Sequence, residues 1–129
     1  MPIRDIEKER AIFAYEKVDE AVQNQGIKQS EYKSYCKKIP SYIQTNGLSA
    51  TFAFIFSKNN TTYTLIYDQV DEWLRRRYND DSTILNREQR LMERLIRLDS
   101  TKYKKVTIEV LALFSWLRRF AEGRIVKDN

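Results

Sequence analysis

The strongest hydrophobic periodicity in the chain lies in residues 100–123. Apolar residues recur there at steps of three and four, the spacing of one face of an α-helix. They are Tyr103, Val106, Val110, Leu113, Phe114, Leu117, Phe120 and Ala121. Four further apolar residues widen this face, namely Ile108, Leu111, Ala112 and Trp116. A helix that is apolar nearly all round is usually buried, so we expect a central helix here.

The first half of the chain predicts further helices. Residues 3–25 carry an apolar stripe of helical spacing, and residues 30–38 suggest a second, shorter helix. Pro40 lacks a backbone donor and restricts the residue before it, so we expect a kink or a helix start there. Residues 41–45 then form one short turn of helix, ended by Asn46 and Gly47.

The middle of the chain is harder to assign. Residues 48–56 could form a buried strand or a buried helix, although Ala50 and Ala53 favour a closely packed helix. Residues 62–78 are amphipathic with helical spacing. Asn86, with Gln89 three residues later, is a candidate capping box for a next helix. That helix would turn four apolar residues inward: Leu91, Met92, Leu95 and Ile96.

These elements predict an all-α fold, a bundle of about six helices around a buried C-terminal helix. The length suits one hydrophobic core, so we expect a single helical domain over residues 1–129. Only three glycines and two prolines occur, which favours long helices with short connections. No segment is long and apolar enough to predict a membrane span.

Composition limits the chemistry. The chain has no histidine, which removes the usual general base and the usual metal ligand, and we expect no cofactor. Cys36 is the only cysteine, so it cannot form an internal disulfide, and we interpret it as a small core residue in a reducing, cytoplasmic setting. Residues 1–20 are too densely charged for a secretory signal. Glu109, inside the most apolar segment, is interpreted as a structural ion pair.

The net charge of +5 suits a nucleic acid or an acidic protein as partner, although an ordinary basic protein is as good an interpretation. Candidate phosphate-binding residues follow apolar helices: Arg75, Arg76, Arg77, Arg118 and Arg119. The alternative role for these arginines is to complement the helix dipole. Lys37 and Lys38, just before Pro40, can join this basic surface.

Two other patterns have weaker functional interpretations. Four arginines fall on one helical stripe that spans roughly 80° of arc and that would either follow a phosphate backbone or form a solvated face. They are Arg87, Arg90, Arg94 and Arg97. The aromatic residues belong mostly to the core, with Tyr78 and Tyr103 as the candidates for stacking on bases. Residues 26–32 have the pattern of a helix-turn-helix corner, which leaves a DNA-binding regulator as an alternative.

Two stretches together resemble a known family. The first is KIPSYIQTNGL at residues 38–48, followed by TFAFIFSK at residues 51–58. The second is EVLALFSWLRRFA at residues 109–121. In this order they resemble the small all-helical subunit of the type III-B CRISPR effector, the Cmr complex, and the resemblance covers most of the chain.

The resemblance implies a helical bundle with no active site of its own. Such subunits stack with neighbouring small subunits beside the backbone subunits that hold the guide RNA, and their basic surface helps hold target RNA. Lys38, Lys58, Arg118 and Arg119 match motif positions, so the resemblance implies an RNA-facing role for them. Lys37 and residues 75–77 are added from charge alone. The related type III-A small subunit and weak self-association of the free chain stay open as alternatives, and an enzyme is the least favoured class.

Overall fold

The structure is a computed structural model that describes residues 5–82, 84 and 88–126. Within these residues the chain forms six α-helices and no strand, which confirms the predicted all-α fold class. The helices are α1 (Ile6–Gln23), α2 (Gln29–Asn46), α3 (Leu48–Ser57), α4 (Thr61–Arg77), α5 (Leu91–Leu95) and α6 (Ser100–Arg124). α6 packs against α1, α2 and α4, whereas α5 packs against α3.

α6 is central in its contacts but is not buried all round. Its buried stripe includes Val106, Val110 and Leu113, as the periodicity predicts. Ile108, however, is 68% exposed, and Trp116 is only partly buried. α6 is thus the central helix that the periodicity predicts, although the helices that pack against it leave one of its faces uncovered.

α2 runs without interruption through Pro40. The predicted helix start at this residue is wrong, and α2 extends eight residues beyond Lys38. Proline inside a helix costs about 3 kcal/mol or more. Ile39 and Ile43 on either side of it are buried, and burying such a side chain contributes roughly 1.5–3 kcal/mol. Tertiary burial of the two isoleucines is thus large enough to offset the local cost of the proline.

Gly47 alone joins α2 to α3. Its φ of +90° lies in the region that disfavours residues with a Cβ atom, so glycine allows this abrupt change of direction. The phenolic oxygen of Tyr103 on α6 accepts a hydrogen bond from the backbone N–H of Ser49 at 2.8 Å. That bond satisfies one of the free donors at the start of α3. The segment that could have been a strand is a helix, with Leu48, Phe52 and Ile55 buried at helical spacing.

α5 is much shorter than the sequence suggests. It begins at Leu91, with Arg90 at the N-cap position. The expected cap at Asn86 lies outside the described residues. Leu91 and Leu95 are buried as predicted, but Ile96 is 64% exposed, so its inward orientation is wrong. Ile96 follows the last residue of this short helix, and its side chain does not share the buried face.

A buried carboxylate ties three helices together. Glu109 on α6 accepts two hydrogen bonds from Arg10 on α1, at 2.7 and 3.0 Å. It accepts two more from α4, from Trp73 at 3.0 Å and from Arg77 at 3.0 Å. The Glu109 side chain is only 5% exposed. The expected structural ion pair is confirmed, and we call these four residues the Glu109 hub.

Removal of the charge at the Glu109 hub tests its contribution to stability. Glu109→Gln keeps the side-chain volume but removes the counter-charge of Arg77 and leaves Arg10 with only its pair to the exposed Glu7. Breaking a buried pair in this way costs on the order of 3 kcal/mol, which urea unfolding will measure. Glu122→Gln is the matched control, because it breaks only the exposed pair with Arg118 and is expected to cost less than about 1 kcal/mol. Equal losses in the two variants would contradict the proposed role of the hub.

The same hub predicts how stability depends on pH. Burial by itself raises the pKa of Glu109, but the hydrogen bonds from Arg10 and Trp73 outweigh it, and the pKa lies below its ordinary value of 4.5. The unfolded carboxylate therefore binds a proton at a higher pH than the folded one. The contribution of the hub is complete above about pH 4.5 and is lost as the pH falls through the folded pKa. Below pH 4.5 we expect the free energy of unfolding to fall more steeply for the wild-type chain than for Glu109→Gln.

Candidate nucleic-acid interface

The outer face of α2 forms one wall of a basic groove. Because α2 is continuous, Lys33, Lys37 and Ser41 follow one another at steps of four and lie on the same face. The groove has a volume of about 700 Å³. It is lined by Ser30, Lys33, Ser34, Lys37, Lys38, Ser41, Tyr42 and Glu122. Lys37 and Lys38 are exposed, and neither makes an ion pair within the described part of the chain.

A second groove lies next to the first, beside the C-terminal half of α6. Its volume is about 290 Å³, and it is lined by Pro40, Gln44, Leu111, Phe114, Ser115, Arg118, Arg119 and Glu122. Arg119 is exposed and makes no ion pair with another described residue. Arg118 pairs with Glu122 at 3.2 Å. Because Glu122 lines both grooves, the two form one surface.

We call this region the α2–α6 surface and define it by its five cations, Lys33, Lys37, Lys38, Arg118 and Arg119. Glu122 is the only acid among the described residues that line its two grooves. Five cations facing one acid leave an excess of positive charge at a concave surface, which attracts phosphate groups. The structure thus brings together four residues that the sequence suggested separately.

The arginines of residues 75–77 do not form one basic patch. Successive residues of a helix point about 100° apart, so the three side chains leave α4 in different directions. Arg75 pairs with Asp71 at 3.2 Å. The guanidinium of Arg76 lies 5.0 Å from the ring centroid of Phe13 on α1. Arg77 belongs to the Glu109 hub. The grouping of Arg75 and Arg76 with the other candidate residues is therefore not supported.

Lys58 and Arg75 line a different groove of about 610 Å³ between α3, α4 and the segment before α5. Arg90 adds a third cation, but three acids face the same space: Asp68, Asp71 and Glu88. Burial, together with the charge of Asp71, raises the pKa of Asp68. This groove shares no lining residue with the α2–α6 surface, and its mixed charge suits a polyanion less well.

The predicted arginine stripe does not exist as one face. Arg94 is only 2% exposed, pairs with Asp71 and donates a hydrogen bond to the carbonyl oxygen of Ile84 at 2.8 Å. Arg90 and Arg97 are exposed, and Arg87 lies outside the described residues. The stripe fails because α5 spans only Leu91–Leu95, so Arg90 and Arg97 lie outside it.

The aromatic residues expected to be accessible are not the accessible ones. Tyr78 belongs to the core at 3% exposure, and Tyr103 is partly buried and bonded to the start of α3. Tyr42 and Phe54 are instead 40% and 42% exposed. Lys33 also lines the basic groove but was not among the residues predicted to bind phosphate. A signal was present in the spacing by four of Lys33 and Lys37, but the predicted boundary at Pro40 hid the length of the helix.

Two alternatives lose support from the geometry. Cys36 is fully buried, and burial raises the pKa of its thiol to about 12, which confirms a core residue rather than a nucleophile. In the helix-turn-helix interpretation, Gln29 would begin a recognition helix. Its side-chain amide instead donates to the carbonyl oxygens of Ala21 and Asn24, at 2.8 and 3.4 Å.

The described residues show neither a metal site nor a membrane span. Across the described ranges, no group of three or more cysteine, aspartate or glutamate side chains is arranged to hold a metal ion. None of the helices in those ranges combines the length and hydrophobicity of a membrane span.

Comparison with known proteins gives three concordant findings. The family model described as CRISPR-associated protein (Cas_Cmr5) matches residues 6–124. The chain is 30% identical over 112 residues to the CRISPR system Cmr subunit Cmr5 of Thermus thermophilus, covering 87% of this chain and 89% of that protein. It also resembles the X-ray crystal structure of a CRISPR-associated Cmr5 family protein from the same organism. That match has a TM-score of 0.74 and 26% identity, and it covers 97% of this chain and 100% of the other.

The state of Cys36 is open to a direct chemical test. A thiol that is fully buried, with a pKa near 12, is expected to be unreactive toward a thiol reagent such as dithionitrobenzoate at pH 8. Denaturation in guanidinium should release one reactive thiol per chain. Rapid labelling of the native chain would show instead that the thiol is accessible.

Proposed function

Because the chain belongs to the Cas_Cmr5 family of CRISPR-associated proteins, we propose that it is the small, non-catalytic subunit of a type III-B CRISPR effector, the Cmr complex. In this proposal residues 1–129 form one domain that acts in the cytoplasm. The domain contacts the backbone subunits and neighbouring small subunits, and the free chain self-associates only weakly. The family assignment supports this function over the type III-A subunit and the DNA-binding regulator.

We propose that target RNA lies along the α2–α6 surface. The observation that carries this proposal is the clustering of three exposed cations around two adjoining grooves, each without an ion pair to any other described residue: Lys37, Lys38 and Arg119. A cation already paired within the protein gives up that pair when it binds phosphate, whereas these three have no such pair with the residues that the structure describes. Arg118 adds a fourth positive group, and its pair with Glu122 is solvent-exposed and therefore weak.

RNA binding through phosphate contacts does not depend on the nucleotide sequence of the RNA. Lysine and arginine contacts to phosphate position a nucleic acid but do not read its bases. In an RNA-guided complex the guide supplies sequence information by base pairing. A small subunit that holds the phosphate backbone is consistent with that division of tasks, because it tolerates any target.

The non-catalytic role is supported by the state of the two groups that most resemble catalytic ones. Glu109 accepts four hydrogen bonds and is ionised inside the hub, so its carboxylate is committed to structure. The thiol of Cys36 is held in its protonated form by burial. Other subunits of the complex would then supply any nuclease activity.

Charge reversal tests the proposed RNA surface. We expect Arg118→Glu with Arg119→Glu, or Lys37→Glu with Lys38→Glu, to weaken retention of single-stranded target RNA by the assembled complex by about tenfold or more. Each pair should also reduce the slope of log K against log salt by roughly 1.4, if two phosphate contacts are lost. Fluorescence anisotropy at several salt concentrations measures both quantities.

Lys104→Glu with Lys105→Glu is the matched control. It produces the same change of charge on the same helix α6, about 20 Å from Arg118 at 1.5 Å per residue. This control variant should retain most of the RNA affinity. If all three double variants lose affinity equally, net charge rather than the α2–α6 surface is responsible. If the variants fold and assemble but none loses affinity, the RNA-binding role is excluded.

A further inference from the structure

A small aromatic pocket opens at the corner between α2 and α3. Its volume is about 420 Å³, and it is lined by Tyr42, Asn46, Ala50, Thr51 and Phe54. The pocket volume falls within the range of small-molecule sites. Tyr42 and Phe54 are 40% and 42% exposed, so a planar group has access to both rings.

This pocket adjoins the α2–α6 surface. Tyr42 lines both the aromatic pocket and the basic groove along α2. Lys38, Tyr42 and Asn46 are spaced by four and follow one stripe of α2, with the cation one turn before the ring. The ammonium group of Lys58, which does not line the pocket, lies 4.9 Å from the ring centroid of Phe54. Each of the two rings therefore has one cation near it.

The ring of Phe54 is held in place by other rings. It makes edge-on contacts with Tyr42, at 6.4 Å between centroids, and with Tyr63, at 6.0 Å. Tyr63 stacks on Tyr35 of α2, with centroids 4.0 Å apart and planes 3° apart. Because α2, α3 and α4 all contribute rings, the aromatic pocket is formed before any ligand binds. Preorganisation of this kind lowers the entropy cost of binding.

We propose that the aromatic pocket binds an unpaired base of single-stranded RNA whose phosphates lie on the α2–α6 surface. Exposed aromatic rings beside a basic groove are the combination that holds single-stranded nucleic acids, because every base has a π-face that can stack. The amide of Asn46 is exposed and makes no hydrogen bond to another described residue, so it is free to meet a base edge. The inference rests on the proposed RNA-binding function and adds a preference for single strands over duplexes, whose bases are already stacked on one another.

An abasic substrate isolates the contribution of the bases. The probes are a fluorescein-labelled single-stranded oligoribonucleotide and an oligomer of the same length whose bases have been removed, each titrated with the full chain at low salt. We expect the wild-type chain to bind the base-bearing oligomer roughly 5- to 150-fold more tightly, the effect of stacking one base. Tyr42→Leu should remove this preference, whereas Tyr42→Phe, which keeps the ring, should retain it.

Two controls separate this inference from the proposed function. Tyr15→Leu removes another exposed ring, one that contacts Phe120 on α6, and should leave the preference unchanged. Lys37→Glu with Lys38→Glu should weaken binding of both oligomers by the same factor. Circular dichroism melting curves verify that each variant is folded.

The outcomes are distinct. If the wild-type chain binds both oligomers equally and the lysine variant binds both more weakly, base binding by the aromatic pocket is excluded. Phosphate binding by the α2–α6 surface is then still supported. If the folded wild-type chain binds neither oligomer, both proposals fail. If Tyr42→Leu leaves RNA binding intact and instead impairs assembly with the partner subunits, the pocket is a protein contact and the inference is overturned.

Discussion

The buried carboxylate of Glu109 is the constraint on which the arrangement of the helices depends. A charge removed from water must be matched by opposite charge and hydrogen bonds, or it destabilises the folded state by several kcal/mol. Arg10 on α1 and Trp73 and Arg77 on α4 supply those partners, so α6 can adopt only one rotation against them. Once that rotation is set, a residue nine positions further along lies roughly 180° around the helix. Arg118 is that residue, and it is exposed on the side away from the hub.

Much of the fold could be predicted from apolar spacing. The period of three and four in residues 100–123 identifies α6 to within one residue at its end, because that stripe is long and coincides with the buried face. Local rules failed where tertiary contacts compete with them. Pro40 predicts a break, but the buried isoleucines on both sides keep α2 continuous. The predicted length of α5 was too great. A pattern of apolar residues indicates which face of a helix is buried, but it does not indicate how many residues of that face the neighbouring helices cover.

The candidate site was harder to predict, because charge patterns do not contain information about partners. Arg94 and Arg119 look alike in sequence, yet Arg94 is buried against Asp71 and Arg119 is exposed. The three consecutive arginines looked like the strongest basic signal, but helical geometry directs them to three different neighbours. The lysines on α2 looked like a weaker basic signal in the sequence. Only the unbroken helix places them beside the arginines of α6. The RNA-binding role of this surface stays a proposal that the structure makes specific.

The most direct test of the account is to map the RNA contact onto the chain residue by residue. A chain of 129 residues is suited to solution NMR, in which amide correlation spectra are followed while single-stranded RNA is added at low salt. If RNA lies on the α2–α6 surface, the largest shifts will fall on the second half of α2 and the last turns of α6, and the end of α4 will be unaffected. Shifts confined to the arginine-bearing end of α4, or to the mixed-charge groove beside α5, would contradict it.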